Sequence, residues 1–347
     1  MIDSALNRGL HGDGRDLVFV SMFNLEYPSA GNVGQVQFRL PSTRSPALIP
    51  AIIGTLWKVR KGRAIIVSNA KGVDLLFIFL SKLLYGRRLT TFTYDLNLRV
   101  PKGGWGRLLA RFRRRLLRSV DVFICMHKDV SGYTRNYGIQ PERCEYVPFK
   151  PNNWDLVDSM SVRDGDYVVA LGASHRDYRS LLEAVKDVQI PVKIILPRER
   201  IKAHNAEIGE SPFPDNVQHL ETHGGREGWN QYLAESRLVV IPILAEAIQP
   251  AGISVYLEAM ALGKPVVITR GASTEGILDE RLAVLVPPGD PRALREAIVE
   301  VWNNEPLRRS LGAAGKEYAR SLGDHKRLVA EIRDVIRRKC GADALER

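Results

Sequence analysis

Between Arg237 and Thr269 the chain spells out one βαβ unit. Residues 237–243, Arg-Leu-Val-Val-Ile-Pro-Ile, form the unbroken apolar run of a buried parallel strand. Pro250 and Gly252 interrupt it, and Ser254 is placed to cap a helix that reaches Leu262. Gly263 ends that helix, Pro265 bars its return, and residues 266–269 make the next strand. Such a unit aims the leading amides of Gly252, Ile253 and Ser254 at the carboxyl edge of a sheet, where a phosphate binds well. Glu258 lies about one turn inside, a carboxylate fit to accept hydrogen bonds from sugar hydroxyls.

The rest of the chain repeats this alternation. Residues 17–22, 64–68, 89–94 and 120–126 read as strands, with helices over 75–84, 105–119 and 129–137. Residues 148–155 hold two prolines and two asparagines and read as a link between domains. Strands resume at 167–171, 192–196, 217–220, 238–243, 266–269 and 283–286. Helices are expected over 178–188, 229–235, 254–262, 291–302, 305–321 and 325–340. The expected class is α/β, with two Rossmann-like doubly wound domains facing across a cleft. Residues 1–150 form the first domain and 151–322 the second; 323–347 hold a closing helix able to cross back to the first.

The three cysteines, Cys125, Cys144 and Cys340, have no metal-ligand spacing, which fits a reducing compartment. Residues 1–15 lack an apolar core of signal-peptide length. The longest apolar stretch, 73–84, is broken by Lys82 and is too short to span a bilayer. A cytoplasmic location is therefore expected. The net charge of +11 draws phosphate-bearing partners of several kinds. Much of it gathers between Gly106 and Val120. There Trp105, Leu109, Phe112, Leu116 and Val120 share one helical face, and Arg107, Arg111, Arg114 and Arg118 share another. Either the apolar face packs on the first domain while the arginines meet solvent, or the arginines face anionic lipid or a lipid-diphosphate acceptor. The two are compatible, and the second places the protein at the inner membrane face. No nucleic-acid recognition motif accompanies the charge, so no nucleic-acid partner is expected.

Residues 258–267, Glu-Ala-Met-Ala-Leu-Gly-Lys-Pro-Val-Val, resemble the donor-site signature of GT-B fold nucleotide-sugar glycosyltransferases, above all the retaining family-four type. That signature opens with a second glutamate eight positions earlier; here the position is Pro250, with Gln249 and Glu246 out of register. The resemblance implies that Glu258 holds ribose hydroxyls and that the amides of Gly252, Ile253 and Ser254 meet a diphosphate. It puts a basic residue in the loop 172–178, where Arg176 stands at the cleft edge beside Ser174, and Ser174 or Asp177 caps the next helix. Arg198 and Arg200 are further candidates to neutralise the leaving diphosphate, on which charge grows as the glycosidic bond breaks. Loop 224–229 is implied near the base, and Gly31 with Gly34 in a glycine-rich loop over the donor. Asp95 follows Tyr94, which stands where relatives carry histidine; it is implied to orient or deprotonate the acceptor hydroxyl. Metal and cofactor are implied to be dispensable, the nucleoside diphosphate sugar being substrate.

The function expected is sugar transfer from a nucleoside diphosphate donor to an acceptor hydroxyl, in polysaccharide or glycolipid assembly. Three alternatives stand beside it: a catalytically silent GT-B relative serving as scaffold, a nucleic-acid binder and a sugar-nucleotide epimerase. Failure of every nucleotide sugar to bind, salt-sensitive nucleic-acid binding and acceptor-free product formation tell them apart.

Overall fold

The computed structural model describes residues 19–21, 35–37, 40, 45–60, 62–152, 154–208, 212–221 and 225–340. These fall into two compact units. The first comprises Met1–Met126, Val130–Val147 and Val329–Arg347; the second comprises His127–Asp129 and Pro148–Leu328.

The first unit contains β1 (Phe19–Ser21), β2 (Gln35–Gln37), α1 (Leu48–Val59), β3 (Ala64–Ser68), α2 (Gly72–Tyr85), β4 (Thr90–Tyr94), α3 (Gly103–Leu117), β5 (Val122–Cys125), α4 (Ser131–Tyr137) and β6 (Cys144–Tyr146). Its strands form one parallel sheet in the order β2-β1-β3-β4-β5-β6. The central strands are buried on both faces, as expected of a sheet with crossover helices above and below. β2 and β6, at three residues each, are too short and too polar to leave a periodic trace in the sequence. α1 also goes beyond the sequence expectation.

The second unit contains α5 (Trp154–Ser159), β7 (Val168–Leu171), α6 (Tyr178–Val185), β8 (Val192–Ile195), α7 (Arg198–His204), β9 (Val217–Leu220), α8 (Gly225–Ala234), β10 (Leu238–Ile241), α9 (Ile253–Ala261), β11 (Val266–Thr269), β12 (Val284–Val286), α10 (Pro291–Asn303) and α11 (Glu305–Ser321). Its parallel sheet runs β12-β11-β10-β7-β8-β9, the doubly wound Rossmann order. β7, β10 and β11 are built from Val, Ile, Leu, Ala and Thr and are wholly buried. The helix α12 (His325–Cys340) carries the chain back into the first unit, where Arg338 and Lys339 pair with Glu145 at 3.1 and 2.5 Å.

Much of the 258–267 signature is packing. Met260 is fully buried against Gly315 of α11. At Gly312 a side chain would meet the carbonyl of Gly263 at 2.3 Å, so only glycine lets α11 lie this close. The Lys264 ammonium donates to the carbonyls of Arg163 and Ser236 at 2.6 and 2.7 Å, tying three segments together. Burial lowers its pKa from 10.5 to about 8, against a small opposing pull from Asp164. Lys264→Met leaves the buried carbonyl of Ser236 and the part-buried carbonyl of Arg163 without their donor and is expected to cost about 1–3 kcal/mol. Because the folded pKa lies below the unfolded one, the unfolded chain binds more protons between pH 8 and 10.5. The lysine's contribution therefore improves as pH rises through that window. Denaturant titrations across the window should show this slope in the wild type and its loss in Lys264→Met.

α3 corrects the sequence reading of residues 105–120. Leu116 and Val120 are buried, but Trp105, Leu109 and Phe112 from the same expected face are exposed. The helix reaches the core through Ala110, Leu116 and Leu117, near its middle and its carboxyl end. Arg107, Arg111, Arg114 and Arg118 are also exposed. The first three turns thus present basic and apolar side chains outward together. Among the described residues no helix is long and apolar enough to cross a membrane.

Candidate functional site

In a doubly wound sheet the strand order reverses at one point, and the loops leaving the two strands there splay apart to make a crevice at their carboxyl ends. In the second unit that point lies between β7 and β10. The loops after these strands are stitched together. Asp177 N donates to Pro242 O at 3.0 Å, Leu244 N donates to His175 O at 2.9 Å, and Arg176 bridges to Ile243.

Gly252 opens α9 from a left-handed conformation, φ 92°. A Cβ there would press on Ile241 and Ile243 at 3.1 and 3.2 Å. Its carbonyl accepts from Val255 and Tyr256, so the amides of Gly252, Ile253 and Ser254 precede the helix's own bonding. Ser254 is not the cap. It sits inside the first turn and is exposed, because the tight turn into the helix requires the conformation that Gly252 supplies. Glu258 is one turn further in and only 9% exposed; its Oε1 accepts from Asn152 Nδ2 at 3.1 Å. Asn152 in turn accepts from Lys150 Nζ at 2.8 Å. The link segment therefore supplies the residue that orients the signature glutamate. Asn152 was visible in the sequence only as an asparagine among prolines.

Arg176 does not stand at an edge. It is 1% exposed, and its guanidinium donates to the carbonyls of Leu171 and Ser174 at 3.1 and 2.8 Å. Burial lowers its pKa from the usual arginine value. The loop 172–176 wraps the guanidinium, whose Nη2 would lie 2.7 Å from any Cβ at Gly172. Arg176 thus holds the loop from beneath. Asp177 caps α6, accepting from Ser180 N at 2.9 Å, and Ser174 is left half-buried with its hydroxyl 3.4 Å from His175 Nδ1.

His175 and Gln249 are the residues that sequence reasoning missed. Both are buried, and Gln249 Nε2 lies 2.5 Å from His175 Nδ1. His175 is held at φ 52°, a strained value for a residue with a side chain. Gln249 Oε1 is buried with no hydrogen-bond partner among the described residues. A buried amide oxygen of this kind can accept from water or from a bound molecule. The only sequence signal was the position of Gln249, one residue before the place of the missing glutamate. Arg198 begins α7, and its side chain lies outside the described residues, as do Gly31, Gly34 and Gly224. Arg200, in the same helix, is exposed, its guanidinium 5.8 Å from the Trp229 ring.

In the first unit a second cluster forms at the carboxyl ends of β3 and β4. Asn69 and Asp95 follow these strands at φ 47° and 53°. Asn97 Nδ2 reaches Asn69 Oδ1 at 3.3 Å, Asp95 O at 3.2 Å and Asp95 Oδ1 at 3.4 Å. Burial raises the Asp95 pKa from 3.8 to about 6, partly opposed by the Asn97 hydrogen bond. Such a carboxylate is ionised at neutral pH yet basic enough to take a proton. Tyr94 is buried, its hydroxyl 3.5 Å from Met126 Sδ, and burial with the nearby Asp95 pushes its pKa up.

Comparison with known proteins follows the same division. Residues 167–304 match the family model described as glycosyl transferases group 1. The chain is 30% identical over 159 residues to the uncharacterized glycosyltransferase MJ1178 of Methanocaldococcus jannaschii. That match takes in 45% of this chain and 42% of the relative, so the chain spans less than half the length of the curated relative it matches. Among solved structures, Anabaena Alr3699/HepE in complex with UDP has a TM-score of 0.64 at 15% identity, over 88% of this chain and 86% of that one. Sucrose-phosphate synthase from Thermosynechococcus elongatus has 0.63 at 14% identity, over 94% and 89%. A glycosyltransferase from Rickettsia africae has 0.62 at 10% identity, over 88% and 85%. At these identities the likeness speaks for the fold. The chain has the GT-B fold, and within it residues 167–304 carry the match to the group 1 glycosyl transferases.

Proposed function

We propose that the protein transfers a sugar, a hexose or a close relative, from a nucleoside diphosphate sugar to an acceptor hydroxyl. The observation that carries this reading is the construction at the β7/β10 switch point. A helix start with leading amides, a glutamate one turn in held by Asn152, and a buried glutamine oxygen without a partner converge there. In this reading the amides of Gly252, Ile253 and Ser254 and the dipole of α9 meet the diphosphate, stabilising the charge that grows as the bond to the sugar breaks. Glu258 accepts from the ribose hydroxyls, and Gln249 Oε1 accepts from a hydroxyl of the donor. Arg176 fixes the shape of loop 172–176, and Arg198 remains a candidate for the phosphates. Asp95 takes the proton of the attacking hydroxyl. The transfer needs no metal or cofactor. The acceptor is a lipid-linked or saccharide hydroxyl of polysaccharide or glycolipid assembly, met at the inner face of an anionic membrane. The UDP held by the structurally similar Anabaena protein makes uracil the first base to try.

A thermal-shift screen of UDP-, GDP- and dTDP-sugars tests the reading. One nucleotide class is expected to raise the melting temperature in a concentration-dependent way. Silence towards all three would favour a scaffold role, for which Pro250 in place of the signature's first glutamate is the motivating departure.

A further inference from the structure

Eleven of the twelve large apolar side chains exposed among the described residues lie on three helices of the first unit, α1, α2 and α3. On α1, Ile49, Ile53 and Trp57 recur every fourth residue, with Trp57 66% exposed. On α2, Leu76, Phe79 and Leu83 follow at spacings of three and four, with Leu83 72% exposed. On α3, Trp105, Leu108, Leu109 and Phe112 do the same, with Trp105 72% exposed. Each set is one stripe along one helix face. α1 packs against α2, and α2 against α3. A soluble surface seldom leaves so much apolar area together without a partner.

The charges around these stripes have one sign. α1 and α3 contain no acidic residue. The only acid of α2, Asp74, is buried and caps its own helix by accepting from Lys71 N at 2.8 Å. Exposed cations stand beside the stripes: Lys58 on α1, and Arg107, Arg111, Arg114 and Arg118 on or ending α3. Arg60 stacks on Trp57 at 3.8 Å, a tryptophan-arginine pair suited to the headgroup level of a bilayer. Two copies of the chain joined through this face would set these cations against one another with no acid between them. A nucleic acid would satisfy the cations and leave the leucines and isoleucines in water.

We propose that α1, α2 and α3 form a membrane-docking surface. Their apolar stripes enter the headgroup-acyl boundary while the flanking arginines and Lys58 meet lipid phosphates. This deepens the transfer reading, on which it rests only for the purpose of docking, by giving a lipid-borne acceptor a place of encounter.

The test is co-sedimentation of the full chain with phosphatidylcholine vesicles, with and without phosphatidylglycerol. Binding is expected to need phosphatidylglycerol and to weaken with added salt. Trp57→Ser and Phe112→Ser are each expected to lower the partition coefficient about tenfold. Arg107→Gln and Arg111→Gln should each lower it about fivefold at low salt. All four side chains are exposed, and circular-dichroism melting of the variants is expected to match the wild type. The emission of Trp57 and Trp105 should shift to the blue on vesicles. No binding to anionic vesicles, or binding undiminished in the serine variants, overturns the proposal. So does a wild-type dimer that the same substitutions dissociate, which would make the face a contact between copies. Sugar-nucleotide thermal shifts on the same samples separate the two readings. Vesicle binding by a chain silent to every nucleotide supports the surface and removes the transfer reading, while a nucleotide response without vesicle binding removes the surface alone.

Discussion

Asp95→Asn is expected to lower turnover about 10²- to 10⁴-fold while leaving donor affinity unchanged. Asparagine keeps the shape of the side chain and tolerates the left-handed backbone held at this position, so the change isolates the carboxylate. Wild-type activity should climb as pH rises through about 6, where Asp95 ionises. That limb should vanish from the residual activity of the variant. Stability gives an independent readout. The folded pKa of about 6 lies above the unfolded 3.8, so the folded chain holds the proton more tightly across that window. The ionised carboxylate therefore opposes folding at neutral pH, and the variant should unfold at the same or a higher denaturant concentration. An inactive but destabilised variant would mark Asp95 as structural, and an active one would remove it from the chemistry.

Glu258→Ala is expected to weaken binding of the nucleotide sugar about tenfold to a hundredfold, the value of one or two hydrogen bonds to a buried carboxylate. Glu258→Gln retains an oxygen able to accept from Asn152 and should fall between the two. Asn152→Ala leaves the carboxylate without that amide and should weaken binding less than Glu258→Ala. Titration calorimetry on the three variants orders them. Equal affinity in wild type and Glu258→Ala, with a loss of stability alone, would show that the glutamate serves only Asn152 and the interior around it.

The elements that the sequence made legible are those whose signal is local. β3, β11 and the start of α10 coincide with the expected ranges because apolar runs and the Asp290-Pro291 start act within a few residues of one another, and the Gly263-Lys264-Pro265 stop ends α9 within one residue of expectation. β2 and β6 escaped notice because an edge strand of three residues is held by its neighbour's hydrogen bonds, with no periodicity of its own. The same division runs through the site. Glu258 could be picked out as a candidate from its place in a βαβ unit, and Asp95 through the family resemblance at the end of a strand. Arg176 was misplaced because whether an arginine faces solvent or fills a loop depends on the carbonyls that surround it.

The order of residues alone determined an α/β chain, a glycine at the turn into α9 and a carboxylate about one turn inside that helix. Only the tertiary structure decided the partnerships. Asn152 meets Glu258 across 106 positions of chain, and His175 meets Gln249 across 74, the latter because β7 and β10, distant in sequence, lie side by side in the sheet. It decided, too, which way α3 turns, leaving Trp105 and Phe112 outside. A helical period fixes which side chains share a face; the neighbour that covers that face, or its lack, is set by the rest of the fold.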